Sequence, residues 1–225
     1  MNRQLKKSMS RARMLLKNLI VLTAWVPILF IFPSNGPASI ISIQLDYDLF
    51  GHVKNTAIGQ CAATSVINSY KYLTQKYPLV YGGTNLLPGA GKNIVDARDK
   101  LDGGWTHNGK KRNGMGASTG TLSHKNVWES KVFWVQDFAP GTTYFDGMYW
   151  KPGEDLSKWY HGWVLENAFP TWDFLWTELS HGEDVEIAFD KPGTKLGHQI
   201  TLTSLKFNDA NDDGIWTSGE TRWID

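Results

Sequence analysis

The chain has 225 residues, 41% hydrophobic and 20% charged, with 23 basic and 22 acidic side chains and one cysteine. One cysteine excludes an intramolecular disulfide framework. Six of the basic residues fall within the first 18 positions, so residues 39–225 hold 17 basic against 22 acidic side chains, a net of −5 that excludes a broad nucleic-acid-binding surface.

Arg3, Lys6, Lys7, Arg11, Arg13 and Lys17 precede an uncharged apolar run, Leu19–Phe32, and small residues follow it. A basic region, a short apolar run and a small-residue tail predict a secretory signal peptide over residues 1–38. The protein is then secreted or held in the cell envelope. An uncleaved membrane anchor is the alternative, but a full span needs about 20 apolar residues. No later stretch is long and apolar enough to cross a membrane. Residues 39–225 form one domain of ordinary size, expected to be monomeric.

Asn55–Gln60 is polar, contains glycine and reads as a loop. From Cys61 the apolar residues Val66, Ile67, Tyr70, Leu73 and Tyr77 recur at helical spacing, and Pro78 closes the segment. Gly82–Gly120 is rich in Gly, Asn, Lys and Thr and predicts surface loops with one short helix near Asn93–Leu101. Lys131–Phe138 predicts a strand. Thr171–Glu183 predicts a helix capped by Thr171, striped by Phe174, Leu175 and Leu179, and ended by Gly182. Asp184–Asp190 and Gly197–Phe207 predict two antiparallel neighbouring strands. Helices early and strands late define an α+β fold. Ten of the 11 tryptophans lie in residues 39–225, most between Trp105 and Trp176. Core packing is the first reading of that clustering, and stacking on sugar rings or peptide side chains is the second.

Cys61 begins a helix, and a helix N-terminus or a neighbouring imidazolium favours the nucleophilic thiolate. A lone Cys is commonly a small buried hydrophobe. Here Gly59, Ala62 and Ala63 surround it and leave room for a substrate backbone. Of six histidines, His52, His107, His124 and His161 lie in polar or Gly-rich contexts and His181 follows a helix. His198 shares strand parity with Ile200 and Leu202, and Gly197 leaves space before its ring, so it is the preferred general base. A third polar residue should orient the imidazole, and Asp225, which closes the run Thr221–Asp225, is assigned that part.

Residues 209–220, "DANDDGIWTSGE", match the 12-residue pattern of calcium loops at every defined position: Asp209, Asn211, Asp213, Gly214 and Glu220. A hard Ca²⁺ ion prefers oxygen ligands, Gly makes the turn, and Glu closes the shell. Ile215 would add its carbonyl and Thr217 a hydroxyl or a water. The flanking segments read as strands, so the expectation is a structural calcium loop outside an EF-hand. An acidic hairpin turn is the alternative.

"NTAIGQCAATSVINSYKYL" together with "GHQITLTSLKF" and "TRWID" resembles bacterial papain-like cysteine peptidases. The likeness is to bacteriocin leader-processing peptidases and to the immunoglobulin-G-degrading streptococcal endopeptidase, and similar domains occur in PEP-CTERM exported proteins. It covers Asn55–Leu73 and Leu179–Asp225. The 137 residues from Cys61 to His198 fall in the papain-type range. The resemblance implies a nucleophile at a helix N-terminus packed on an antiparallel sheet that carries the His. It implies a further strand and an Asp beyond residue 225, so the chain is read as shortened at that end. It also implies an oxyanion donor six residues before the Cys, where Asn55 replaces the family's Gln, with Gln60 as the fallback. The expected function is a secreted cysteine peptidase acting on proteins or peptides. A catalytically inactive module binding glycan or protein, and a Cys/His amidase or acyltransferase, are the alternatives.

Overall fold

In this computed structural model, the described residues are 39–57, 59–81, 86–87, 94–116, 123–142, 146–148, 155, 164–166, 168–190 and 197–225. The expected signal segment 1–38 and His161 lie outside them. The helices are α1 (Cys61–Lys76), α2 (Pro78–Tyr81), α3 (Ile94–Gly103), α4 (His124–Phe138) and α5 (Trp172–Ser180). The strands are β1 (Ser39–Gln44), β2 (Trp105–His107), β3 (Lys110–Arg112), β4 (Asp146–Met148), β5 (Val164–Glu166), β6 (Val185–Asp190), β7 (Gly197–Leu202), β8 (Ser204–Asp209) and β9 (Arg222–Ile224). The protein is α+β. Antiparallel ladders join β1, β8 and β9, then β2 with β3, then β6 with β7, while β4 and β5 pair in parallel.

Helix α1 is the hub. Val66, Ile67 and Tyr70 have no exposed surface, and burying each apolar side chain of this size contributes roughly 1.5–3 kcal/mol. It packs against α3, α4, β6 and β7. Its tyrosines and its C-cap Tyr77 end on backbone carbonyls: Tyr70 donates to Lys131 (3.3 Å), and Tyr72 and Tyr77 both donate to Gly182 (2.7 and 2.9 Å). Strand β1 turns Ile41 and Ile43 to this core, and β8, in the middle of its sheet, turns in Leu205, Phe207 and Asp209.

Three expectations need correction. Lys131–Phe138 is no strand but the second half of α4. Its four consecutive apolar residues fit either period. Ser123 decides the matter as N-cap, its Oγ accepting from Asn126 N–H, and the buried Trp128, Val132 and Val135 recur at helical spacing. Gly197–Phe207 is two strands, broken at Thr203, which passes the chain from the β6–β7 pair to the three-stranded sheet. The stretch expected as loops holds a hairpin, β2–β3. Its turn is Asn108–Gly109 with φ of 47° and 76°, the doubly positive geometry that Asn-Gly favours.

Between α1, α4 and β6 lies a charged cluster. Lys131 of α4 pairs with Glu186, whose side chain is 5% exposed, and Asp184 stands beside them near Ser69 and Tyr70 of α1. Loss of water around the carboxyl, then the charge of Glu186, push Asp184 up to about 7 from an ordinary 3.8, against the opposing pull of Lys131. A raised folded-state value means that folding favours the protonated acid. Its stabilising contribution is complete below about pH 4 and is lost as pH rises through 7. The midpoint of urea unfolding should therefore fall across that window in wild type relative to Asp184→Asn, and parallel curves for the two proteins would refute the assignment.

Candidate functional site

Cys61 is the first residue of α1, and Gln60 caps the helix without a side-chain bond. The first helical bond runs from Thr64 N–H to the Gln60 carbonyl (2.9 Å), so the N–H groups of Cys61, Ala62 and Ala63 have no acceptor within the helix. Gly59, at φ 89°, makes the turn into it, a conformation a Cβ would strain. Cys61 is 7% exposed, and its Sγ lies 4.0 Å from the Gly59 carbonyl oxygen.

Strand β7 packs along α1 and is hydrogen-bonded to it at Ser65, a turn further along the helix than Cys61. Gln199 Nε2 donates to Ser65 Oγ (3.3 Å) and Thr201 Oγ1 to the Ser65 carbonyl (2.9 Å). Strand side chains alternate, so His198 falls on the opposite face. There it is exposed, its ring edge-on to Phe189 at 5.7 Å between centroids, its partner in the β6–β7 register. The structure thus brings the His198 strand to the Cys61 helix, but no hydrogen bond joins the two side chains among the described residues.

Asp225 stands apart from this pair. It follows β9, in the sheet of β1 and β8, and its carboxylate accepts from Ser204 Oγ (3.0 Å) and Lys206 Nζ (3.2 Å). The hydrogen bonds from Lys206 and then Ser204 hold that carboxyl below its usual range. Asn55 is exposed on the loop before Cys61. Gln60 is 7% exposed and its amide is committed at both ends: Oε1 accepts from Thr56 N–H (3.3 Å) and Oγ1 (3.0 Å) within the loop, and Nε2 donates to Asp99 of α3 (3.3 Å).

The 209–220 loop is curled on itself. Asp209, 1% exposed at the inner end of β8, accepts from the N–H groups of Asp213 (3.2 Å) and Gly214 (2.7 Å). Glu220 accepts from Ala210 N–H (2.8 Å) and Thr217 N–H (2.7 Å), and Asn211 donates to Asp213 (3.0 Å). The φ values of Asp212 and Gly214, 57° and 75°, produce the curl. The Asp209 and Glu220 carboxylates are thus met by N–H groups of the loop itself, and no group of three or more His, Cys, Asp or Glu side chains that could hold a metal ion occurs among the described residues. Trp216 anchors the loop to its surroundings, with Arg222 over its ring at 4.5 Å and Trp172 of α5 at 6.1 Å.

A helix-borne thiol and the strand that carries His198 thus belong to one packed unit. No protein-family model, curated protein or solved structure matches this chain.

The sequence reading missed Ser65, Gln199, Arg98 and Asp99, the polar residues that hold the parts in place. For Ser65, Gln199 and Arg98 the signal is burial, which composition does not carry; Asp99 is 52% exposed and is set apart only by its bonds to Arg98 and Gln60. Removing the Gln199 amide leaves the Ser65 hydroxyl buried without its donor, which should cost about 1–3 kcal/mol. Gln199→Ala is expected to lower the unfolding free energy by that amount, and Ser65→Ala should add little in that background. Full additivity in the cycle would show that the bond contributes nothing.

Proposed function

We propose that the protein is a thiol hydrolase of papain-like type acting on peptide or protein substrates. Cys61 is the nucleophile, His198 the base, and Asn55 with the Cys61 N–H the oxyanion donors. The observation that carries this reading is the position of the only cysteine at the first residue of α1, the helix on which the His198 strand is pinned by Ser65. In the step proposed, the His198 imidazole takes the Cys61 proton and the thiolate sulfur bonds to the substrate carbonyl carbon. Two N–H donors receive the charge that develops on its oxygen, an arrangement worth about 10²–10³ in rate per donor. The imidazolium then protonates the leaving amine, and water releases the acyl group. For His198 to serve, its ring must leave Phe189 and cross the β7 edge.

The second reading is a binding module on the same scaffold. It draws on the outward His198 ring and the 7% exposure of Cys61. Alkylation separates the two. With a working pair, iodoacetamide modifies Cys61 at pH 7 faster than it modifies free cysteine, and His198→Ala slows that reaction at least tenfold, since general-base assistance is typically worth about 10²–10⁴. Cys61→Ala then abolishes hydrolysis while the protein stays folded. A slow rate that ignores His198→Ala favours the binding module.

We further propose that the 209–220 loop takes a calcium ion through Asp209, Asn211, Asp213, Glu220 and the Ile215 carbonyl. The complete 12-residue pattern and the curled loop support this. An ion bound only by the folded state raises stability by mass action, about 2.7 kcal/mol at one hundred times Kd. The melting temperature should rise when calcium replaces chelator, and this difference should vanish in Glu220→Gln. Equal melting with and without the ion in wild type would reduce the segment to an acidic turn.

A further inference from the structure

The loop that leads into Cys61 is tied to one buried cation. Arg98 of α3 is 2% exposed. Its Nη1 donates to the Lys54 carbonyl (2.6 Å), Nη2 to Thr56 Oγ1 (3.0 Å), and Nε and Nη2 to Asp99 Oδ1 (2.9 and 2.6 Å). The same Asp99 oxygen accepts from Gln60 Nε2, and Gln60 Oε1 accepts from both donors of Thr56. The residues on either side of Asn55, and the residue before Cys61, therefore share one network. Asn55 itself is exposed and makes no side-chain hydrogen bond among the described residues.

A polar surface loop has no need of a buried guanidinium for stability, since taking an ion out of water is costly unless every donor is used. Here the fork reaches a carbonyl, a hydroxyl and a carboxylate. We propose that Arg98 is a positioning residue. It fixes the Lys54 carbonyl and the Thr56 hydroxyl, on either side of Asn55, so that the Asn55 amide and the Cys61 N–H stand together for the oxygen of a carbonyl under attack. The inference rests on the thiol-hydrolase reading. It also explains why Gln60 is not the second oxyanion donor: that amide is part of the network that does the positioning. Lysine offers a compact point charge in place of a planar fork and cannot reach all three acceptors.

The test compares wild type, Arg98→Lys, Asn55→Ala and the double variant, well below their melting temperatures. Hydrolysis of dye-labelled casein gives kcat and KM, iodoacetamide gives the reactivity of Cys61, and amide hydrogen exchange reports on residues 54–60. A misplaced donor costs rate without weakening substrate binding, so Arg98→Lys should lower kcat roughly 10- to 100-fold. KM and the alkylation rate should hold within about twofold, and exchange at 54–60 should quicken. In the Asn55→Ala background the same change should cost less than about threefold, because both act through one interaction. Losses that multiply in the double variant, an unchanged kcat, or alkylation falling in step with kcat would each overturn the proposal. If Arg98→Lys does not fold, Thr56→Val, which removes one acceptor of the fork, carries the same comparison. Hydrolysis lost in Cys61→Ala sustains the hydrolase reading whatever Arg98→Lys does. Hydrolysis that survives Cys61→Ala, or a wild type that neither hydrolyses nor alkylates, overturns reading and inference together.

Discussion

Helix α1 is enclosed by other elements over most of its length, and that enclosure governs the rest of the molecule. Eleven of its 16 residues are buried, among them Thr64, Ser65 and Ser69; the Thr64 hydroxyl has no hydrogen-bond partner among the described residues, whereas Ser65 is answered by the strand packed on it. Ser65 takes both of its partners from one strand, and Tyr72 and Tyr77 take the Gly182 carbonyl that follows α5. These bonds give apolar packing a register. Hydrophobic contact alone would let β7 slide along the helix, whereas the Ser65 bonds stop it at one position and thereby set the distance from the cysteine to the strand that bears His198.

How much of this could be read in advance depended on whether the deciding interaction is local. Helix α1 was legible because Val66, Ile67, Tyr70 and Leu73 repeat at its period. Helix α5 was legible because Thr171 caps it, accepting from Phe174 N–H at 3.1 Å. The paired strands β6 and β7 were legible from their composition. The α4 segment was misread because Val132–Val135 is apolar at every position and carries no period of its own. The β2–β3 turn had an overt signal in Asn108–Gly109 that was passed over amid glycine-rich sequence. In the candidate site, the positions of Cys61 and the His198 strand were legible. The direction of the His198 ring was not, because it follows from which parity of β7 meets α1, and Gln199 and Thr201 settle that through a residue 134 and 136 positions away.

Acidic side chains are managed in three different ways. In the 209–220 loop Asp209 and Glu220 are answered by backbone N–H groups within a few residues, so the arrangement is local. At Asp184 and Glu186 the answer comes from Lys131, on a helix 55 residues earlier, and the pair of carboxyls outnumbers it. Arg112 and Asp137 form a third case: both side chains are 9% exposed, one guanidinium faces one carboxylate, and Trp105 Nε1 supplies a further bond at 3.0 Å. The loss of water alone would raise the Asp137 value, but the bonds from Arg112 and Trp105 prevail and hold it below its usual range.

The pairing of β1 with β8 has a consequence for how the chain is made. Ser39 Oγ reaches Asp212 across 173 residues, and the ladder from Ser39–Asp209 to Gln44–Ser204 spans nearly the same interval. Contacts this distant in sequence require a large loop to close before any ladder bond is gained, which slows folding. As the chain emerges, β1 therefore waits with its edge open until β8 is synthesised. Its alternation limits the hazard: Ser42 and Gln44 break the outward row that Ile40 begins, and a strand so interrupted is a poor template for another copy of itself.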